Sequence, residues 1–470
     1  MIKFGTDGWR AVISDEFTFS NVRKVAQAIA SYLTNHKLTR KPLIVGYDAR
    51  FLADKFAEEV VKVMEAAGIS TLLVERDTPT PVVAWEVRDR KAAGAVMLTA
   101  SHNPPEYCGI KFIPDYAGPA NEIITKEIEQ GISGNIGEYP AFDASSAGRQ
   151  GISGKVERFE PRERYLKYIE SFVNPSVIKR AKLKVVVDPM YGSGRGYLDK
   201  LLQRLGCQTE EIHNYRDVLF GGRNPEPDDE NLLELKAKVV ETGADLGLAL
   251  DGDADRFGVV DEAGRFYSAN QMIPLLFDYL ISDKGYTGSV VRSVATTHMV
   301  DRIAAQHGIK VFETPVGFKY IAQLMMEQKI ILGGEESGGL SIRGHIPEKD
   351  GMLADLLAVE MVAYYKKGLS QIRREQVQKV GNFFNQKVNY QLEEDNKKAL
   401  MTKLMKDPPT SIGGIQVSRI NTLDGVKLIL SDGSWVLCRP SGTEPLVRVY
   451  VESDTLNKLD ILTDFIKSLI

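Results

Sequence analysis

Leu43-Ile44-Val45-Gly46-Tyr47-Asp48 is an apolar run that ends in turn residues, and the segment after it decides the fold. A helical stretch leads to Ala66-Ala67-Gly68 and then to a second apolar run, Thr71 to Val74. Within the helical stretch Phe56, Val60, Val63, Met64 and Ala67 recur at three- and four-residue steps, a stripe suited to lying on a sheet. The same order of strand, loop, helix, glycine and strand returns from Leu183 (Val185-Val186-Val187-Asp188) to Leu205-Gly206. It returns again from Ser289 (Val290-Val291) through His307-Gly308 to Ile309-Lys310-Val311. Three copies at such wide spacing predict three α/β domains of one design, with helices packed on largely parallel sheets.

The remaining segments differ in kind. Gly131 to Gly154 is poor in apolar residues and rich in Gly and Ser, which predicts a linker or exposed hairpin. A helix is expected over Arg162 to Phe172. From about Gly381, Val426 to Leu430 and Ser434 to Leu437 flank Asp432-Gly433, a strong hairpin signal, and Val447 to Val451 adds another strand before a closing helix. That is a smaller α+β domain with an antiparallel sheet. The expected domains are 1–155, 156–257, 258–378 and 379–470.

The 470 residues are 43% hydrophobic and 26% charged, as in a globular protein with ample core. A net charge of −4 gives no case for a nucleic-acid binder or a basic membrane-surface protein. The start lacks the charged leader and apolar core of a secretory signal, and no apolar run approaches the ~20 residues that span a bilayer. Cys108, Cys207 and Cys438 are scattered, without a C-x-x-C pair, which argues against a disulfide framework or zinc site. We therefore expect a cytoplasmic protein.

Chemistry concentrates in loops after apolar runs. Thr99-Ala100-Ser101-His102-Asn103-Pro104 follows the run Ala93 to Leu98 and brings a hydroxyl and an imidazole to a strand end. A serine hydrolase is one reading, but adjacent side chains rarely make the Ser–His hydrogen bond and the G-x-S-x-G elbow is absent. An ordinary turn is the other. The opening Phe4-Gly5-Thr6-Asp7-Gly8-Trp9-Arg10 compresses two glycines and an arginine into one turn, where Arg10 could meet a phosphate.

In the second copy Ala244 to Leu250 ends at Asp251-Gly252-Asp253-Ala254-Asp255-Arg256. On an extended strand i and i+2 lie ~6.6 Å apart, so the three carboxylates can share a cation only if the chain curls. Gly252 and Ala254 permit that curl, and repulsion among the converged carboxylates then requires a cation. Hard oxygen donors select Mg²⁺ over Zn²⁺. An EF-hand is the rival, and Arg256 where its loop needs Gly, with a strand before the loop, argues against it. A metal-free acidic turn remains the alternative.

The third copy carries Thr314-Pro315-Val316-Gly317-Phe318-Lys319, then Gly333-Gly334-Glu335-Glu336-Ser337-Gly338-Gly339 and His345-Ile346-Pro347-Glu348-Lys349-Asp350-Gly351. A carboxylate and a hydroxyl between glycines suit sugar hydroxyls. In the fourth segment Arg439-Pro440-Ser441-Gly442-Thr443-Glu444-Pro445, with Arg448 nearby, has the guanidinium, hydroxyls and exposed amides that an anion cradle requires.

Together the sequence resembles the α-D-phosphohexomutases along essentially its whole length. FGTDGWR, TASHNP, DGDADR, GEESGG and RPSGTEP occur in family order. The resemblance implies three similar α/β/α domains and a fourth arranged around a central cleft. It implies a phosphoryl group on Ser101, and Mg²⁺ held by Asp251, Asp253 and Asp255 with Ser101. Arg10, Lys111 in the Gly109-Ile110-Lys111 turn, and Arg256 would face the reacting group, and Lys349 or His102 would be the base. Thr314, Gly317, Lys319, Glu335, Ser337 and His345 would contact the sugar, while Arg439, Ser441, Gly442, Thr443 and Arg448 clamp its existing phosphate.

The implied reaction interconverts hexose 1-phosphate and hexose 6-phosphate through a hexose 1,6-bisphosphate that reorients, acting as intermediate and activator. The partner is a small phosphosugar, and the assembly a monomer or dimer. Motif detail resembles phosphoglucomutases: where mannose and glucosamine mutases typically end the specificity loop in Gly-His, this chain has Gly339. Ala11 also replaces a common Gly. Phosphoglucosamine mutase and a catalytically silent phosphosugar-binding protein are the alternatives.

Overall fold

The computed structural model describes residues 2–5, 7–133, 154–441 and 445–470. The first sheet holds β1 (Trp9–Val12), β2 (Leu43–Tyr47), β3 (Thr71–Val74), β4 (Gly94–Leu98), β5 (Tyr107–Pro114) and β6 (Val156–Phe159), in the order β1-β5-β4-β2-β3-β6. Strands β4, β2, β3 and β6 are parallel, and β5 returns antiparallel to β4. Its helices are α1 (Phe19–Asn35), α2 (Ala53–Ala66), α3 (Thr80–Arg90) and α4 (Glu122–Ser133). In α2 the apolar stripe buries Phe56, Val60 and Met64, while Val63 and Ala67 sit at its margin.

Helices α5 (Arg162–Glu170) and α6 (Pro175–Ala181) lead into the second sheet. Its strands are β7 (Lys184–Asp188), β8 (Gln208–Glu211), β9 (Leu246–Leu250), β10 (Phe257–Asp261) and β11 (Phe266–Tyr267), in the order β11-β10-β9-β7-β8. Helix α7 (Leu198–Arg204) precedes β8 and α8 (Leu233–Thr242) precedes β9.

The third sheet, ordered β13-β12-β14-β15, holds β12 (Ser289–Ser293), β13 (Val311–Thr314), β14 (Ile330–Gly334) and β15 (Leu340–Ile342). Around it lie α9 (Ala269–Ser282), α10 (Met299–Gln306), α11 (Phe318–Glu327), α12 (Gly351–Tyr365) and α13 (Leu369–Val380). The fourth sheet is antiparallel, ordered β16-β21-β20-β19-β18-β17. It comprises β16 (Phe384–Gln391), β17 (Ser411–Ile412), β18 (Ile415–Asn421), β19 (Val426–Leu430), β20 (Trp435–Pro440) and β21 (Leu446–Ser453), with α14 (Glu394–Lys406) and α15 (Leu456–Lys467).

The repeat is thus real, and it aligns the chemistry. In each of the first three sheets a parallel strand (β4, β9, β14) runs into a loop and returns as an antiparallel neighbour (β5, β10, β15). The loops are residues 99–106, 251–256 and 335–339, the positions of the three central motifs.

The domain limits differ from those expected. A division at 155 falls before β6, which completes the first sheet beside β3, and one at 257 falls on the first residue of β10 in the second. Edge and return strands are short and polar-flanked, so they carry little sequence signal. The third limit moves to the end of α13 at Val380. The linker expected over Gly131 to Gly154 begins inside α4, and most of it lies outside the described residues.

One apolar cluster runs through the first three domains, from Trp9 to Phe383. Helix α12 is buried almost all round and packs on α6, β9 and β10, which fuses the second and third domains. The fourth domain has its own core around Leu404, Val436, Val449 and Leu462. It docks on the third through Val294, Ala295, Ile429, Trp435, Leu437 and Tyr450.

Candidate active site

Ser101 sits in the loop between β4 and β5 with φ +51°, a conformation that non-glycine residues adopt only when surroundings impose it. Arg50 is the imposing group. Its guanidinium is fully buried and donates to the carbonyls of Ser101 (2.6 Å), Asn103 (2.7 Å), Pro104 (2.7 Å) and Tyr107 (3.0 Å). Asp48 pairs with Arg50 Nε at 3.2 Å and accepts from Thr99 Oγ1 at 2.6 Å, and Thr99 Oγ1 accepts from the Ser101 amide at 2.8 Å. Burial pushes the Asp48 carboxyl up to about 6. The strand β2 that ends in Tyr47-Asp48 therefore builds the serine loop on β4. The sequence reading gave no role to Asp48 or Arg50, although D-x-R directly after a strand was a usable signal.

Ser101 Oγ donates to Asp251 Oδ2 at 2.8 Å across the boundary between the first two domains. It does not form a triad: His102 Nδ1 is 3.5 Å from Ser101 Oγ, at the limit of a hydrogen bond. Burial, with Arg256 and Arg10 nearby, holds the His102 imidazole well below its usual value, so it rests neutral.

Asp251, Asp253 and Asp255 are fully buried, and one oxygen from each lies within 4.8 Å of the others. The loop curls through Ala254, which takes φ +57°. Gly252 has a different function: a Cβ there would stand 2.6 Å from the Ser101 carbonyl oxygen, so glycine lets the two loops touch. Thr80, at the start of α3, fixes Asp253 by donating from its amide to the Asp253 carbonyl (2.9 Å) and from Oγ1 to Oδ2 (2.6 Å).

The donor set suits a hard divalent cation. Asp253 Oδ1 and Asp255 Oδ1 are buried with no hydrogen-bond partner among the described residues. Burial and then the charges of Asp253 and Asp255 drive the Asp251 carboxyl far upward, the strain that a cation relieves.

Cations surround the opposite side. Lys111 Nζ lies 2.9 Å from Asp253 Oδ2, 3.0 Å from Asp255 Oδ2 and 2.9 Å from Asp7 Oδ2. It projects from β5, not from a turn as the sequence suggested, because Gly109 only allows β1 to pass close by. Lys349 Nζ lies 3.0 Å from Asp255 Oδ2 and 3.2 Å from Asp7 Oδ2. Burial opposes both ammonium charges, but the carboxylates outweigh it and hold both lysines protonated. Asp7 is half-buried, and although desolvation opposes its charge the two lysines bring it down to about 2. Its role was missed, although it stands in the quoted opening motif. Arg10 donates to Asn103 Oδ1 at 2.7 Å, and Arg256 pairs with Glu226 at 3.0 Å.

The third loop joins this centre through a bridge between Arg256 and Gly339. Glu335 Oε1 accepts from Ser337 Oγ at 2.9 Å, while buried Oε2 has no partner among the described residues. Thr314 ends β13 and Gly317, at φ +129°, precedes α11. Lys319 and Tyr320 reach across to Glu122 of α4, at 3.2 and 2.6 Å. On the fourth domain Arg439 Nε donates to Asp424 Oδ2 at 2.6 Å, and that oxygen also accepts from the Val316 amide at 2.9 Å. Arg448 faces Arg439 across β20 and β21, and Ser441 is buried with its amide on the Leu446 carbonyl. Gly442 and Thr443 lie outside the described residues.

His345 is a correction. Its side chain is fully enclosed, with Nδ1 2.9 Å from Tyr168 Oη and Nε2 2.9 Å from Asp350 Oδ2, stacked on the Tyr168 ring. It joins α5 to the start of α12, so it is a packing residue and not a sugar contact.

Comparison with known proteins decides the family. The four domains described as Phosphoglucomutase/phosphomannomutase, alpha/beta/alpha domains I, II and III, and C-terminal domain, match residues 1–136, 163–264, 268–380 and 388–467. A phosphoglucomutase/phosphomannomutase of Thermococcus kodakarensis is 31% identical over 97% of this chain and 95% of its own. The chain belongs to the phosphoglucomutase/phosphomannomutase family. It is thereby an enzyme of the phosphohexomutase class. A protein of Methanothermobacter thermautotrophicus named as a probable phosphoglucosamine mutase is also 31% identical, over 97% of this chain and 94% of its own. A Thermus thermophilus protein solved under the name putative phosphomannomutase is 33% identical, with a TM-score of 0.86 over 100% of this chain and 98% of that one. Family membership accounts for the four-domain order, and among the described residues no helix is long and apolar enough to cross a membrane.

Proposed function

We propose that this phosphohexomutase interconverts hexose 1-phosphate and hexose 6-phosphate, with glucose phosphates preferred and mannose phosphates also used. The observation that carries the reading is the Ser101 hydroxyl, which is 2.8 Å from Asp251 and in a loop held rigid by Arg50. In the resting enzyme Ser101 carries a phosphoryl group. That group moves to a sugar hydroxyl: the bond from phosphorus to Ser101 Oγ breaks as the bond from phosphorus to the sugar oxygen forms. The resulting hexose 1,6-bisphosphate turns round and returns its other phosphoryl group to Ser101. Mg²⁺, held by Asp251, Asp253 and Asp255, would supply positive charge to offset the charge that develops on the phosphoryl oxygens.

Lys111, Arg10 and Arg256 donate to the transferring group, Glu335 and Ser337 receive sugar hydroxyls, and Arg439 holds the phosphate that stays on the sugar. The sugar hydroxyl proton has two candidate acceptors. His102 rests neutral beside Ser101 Oγ and can pass the proton to it, whereas Lys349 is held as an ammonium by Asp7 and Asp255. The resting protonation favours His102, with Lys349 as hydrogen-bond donor.

Phosphoglucosamine mutase is the second reading, favoured by archaeal relatives that carry that name at similar identity. A coupled assay with glucose, mannose and glucosamine 1-phosphates decides between them. The preferred reading requires the largest kcat/KM for glucose 1-phosphate, and it fails if glucosamine 1-phosphate is turned over faster. No turnover of any of the three, with glucose 1-phosphate still bound in calorimetry, would favour the silent phosphosugar-binding reading.

A further inference from the structure

Where the third domain passes into the fourth, a cleft of about 470 Å³ opens between α13, the start of α9 and the segment entering β16. Its walls include Gln271, Arg373, Arg374, Asn382, Phe383 and Phe384, and none of its lining residues is acidic. Arg373 decides what the cleft is for. Four arginines of the described chain are buried: Arg50, Arg195, Arg292 and Arg373. The first three each meet a carboxylate: Asp48 at 3.2 Å, Asp77 at 2.5 Å, and Asp301 at 2.6 Å. Arg373, only 8% exposed, meets none within 4.0 Å among the described residues. Its partners are neutral: Gln376 Oε1 at 3.2 Å, Asn382 Oδ1 at 3.4 Å and Met299 Sδ at 3.1 Å.

An enclosed guanidinium without counter-charge is costly to keep, and burial here opposes its protonation. Arg374, next to it on the same cleft, also lacks a carboxylate among the described residues and reaches only Ser370 Oγ at 3.4 Å. Two adjacent guanidiniums facing an acid-free cavity match a dianion, whose several oxygens can take paired donors from both. The volume falls within the range of small-ligand sites, and the two phenyl rings supply an apolar wall.

We propose that this cleft binds a phosphate monoester, with its phosphate on Arg373 and Arg374 and its body against Phe383 and Phe384. A ligand there touches α13 of the third domain and Asn382 to Phe384 at the entrance to the fourth, so it ties the fourth domain to its neighbour. The site is separate from the Ser101 centre and does not depend on which hexose the enzyme prefers.

Calorimetric titration of the full chain with phenyl phosphate tests this. Wild type should bind it, and Arg374→Gln should weaken that binding by about tenfold or more, the loss expected for one charge-assisted pair. Arg373→Gln should do the same, while Arg439→Gln, in the substrate-phosphate clamp, should leave this binding in place. Arg374 is exposed, so Arg374→Gln stays folded even if Arg373→Gln does not. Unchanged binding in Arg374→Gln overturns the proposal, as does loss of all binding in Arg439→Gln. So does benzoate binding as tightly as phenyl phosphate.

Discussion

Arg50 Nη2 stands 2.6 Å from the Ser101 carbonyl, and the same guanidinium spans three further carbonyls of the loop that carries the reactive hydroxyl. Arg50→Lys keeps the charge but loses the planar fork, so the loop should relax from its left-handed turn. Because Asp48 would also lose a buried partner, we expect about 3 kcal/mol of destabilisation and a fall in kcat of about a hundredfold. Urea unfolding at unchanged m-value, with turnover measured below the transition, checks both. Full activity would mean that the loop holds its shape without the fork.

Asp253→Asn removes one charge from the triad while Thr80 can still hold the side chain in place. Mg²⁺ affinity should fall at least tenfold and phosphoryl transfer should slow severely. Titrating activity with Mg²⁺ after chelation reads both effects. A variant with wild-type Mg²⁺ dependence would remove Asp253 from the ligand set.

Ser101 should carry phosphate in part of the purified protein, because the donor must be present before substrate arrives. Phosphopeptide mapping locates it. Phosphate found elsewhere, with Ser101→Ala still active, would reject the phosphoserine reading.

One clamp should serve both isomers, since the phosphate that stays on the sugar must occupy the same place in each half-reaction. In a Ser101→Ala background, Arg439→Ala should weaken glucose 1-phosphate and glucose 6-phosphate alike, by about tenfold to a hundredfold. Calorimetry that found only one isomer weakened would require two phosphate sites.

Asp355, in α12, is fully buried, and neither carboxylate oxygen has a hydrogen-bond partner among the described residues. Burial, and then the charge of Asp350, holds its carboxyl well above the usual range. The folded state keeps a proton that the unfolded chain releases near pH 4, so the contribution of Asp355 to wild-type stability falls as pH rises, by about 1.4 kcal/mol per unit until the folded pKa is reached. Asp355→Asn lacks this titration and should gain on wild type from pH 4 upward. Equal urea midpoints for the two proteins at pH 5 and pH 7 would contradict it.

The repeat and the motif loops were legible because they rest on local signals: apolar runs, helical stripes and glycine-bounded polar turns. Asp251, Asp253 and Asp255 could be read as a cluster because their spacing forces a curl. What escaped depends on contacts between distant segments. Asp48 and Arg50 look like ordinary turn residues until β2 is laid beside β4, and Asp7 gains its meaning only when Lys111 and Lys349 arrive from distant parts of the chain. His345 misled for the same reason: a histidine in a polar loop resembles a ligand residue until Tyr168 and Asp350 enclose it. The expected boundaries at 155 and 257 set β6 and β11 in the wrong domain and cut β10 after its first residue, because membership in a sheet is a property of the neighbours, not of the strand.

The shared position of the three motif loops has a bearing on how this protein can change. Each loop joins a parallel strand to its own hydrogen-bonded antiparallel neighbour, so its ends are fixed by the sheet whatever the residues between them are. Between Gly334 and Leu340 the two glycines are constrained, Gly338 by its φ of +98° and Gly339 because a Cβ would stand 2.6 Å from Lys349 Cδ, which leaves Glu335, Glu336 and Ser337 as the positions whose side chains can change without a backbone clash. On the roles proposed above, the scaffold keeps the phosphoryl-transfer loops, residues 99–106 and 251–256, apart from a sugar-facing loop, residues 335–339. Under that proposal the choice of hexose can be altered in one short turn, and a protein engineer can begin at Glu335 and Ser337.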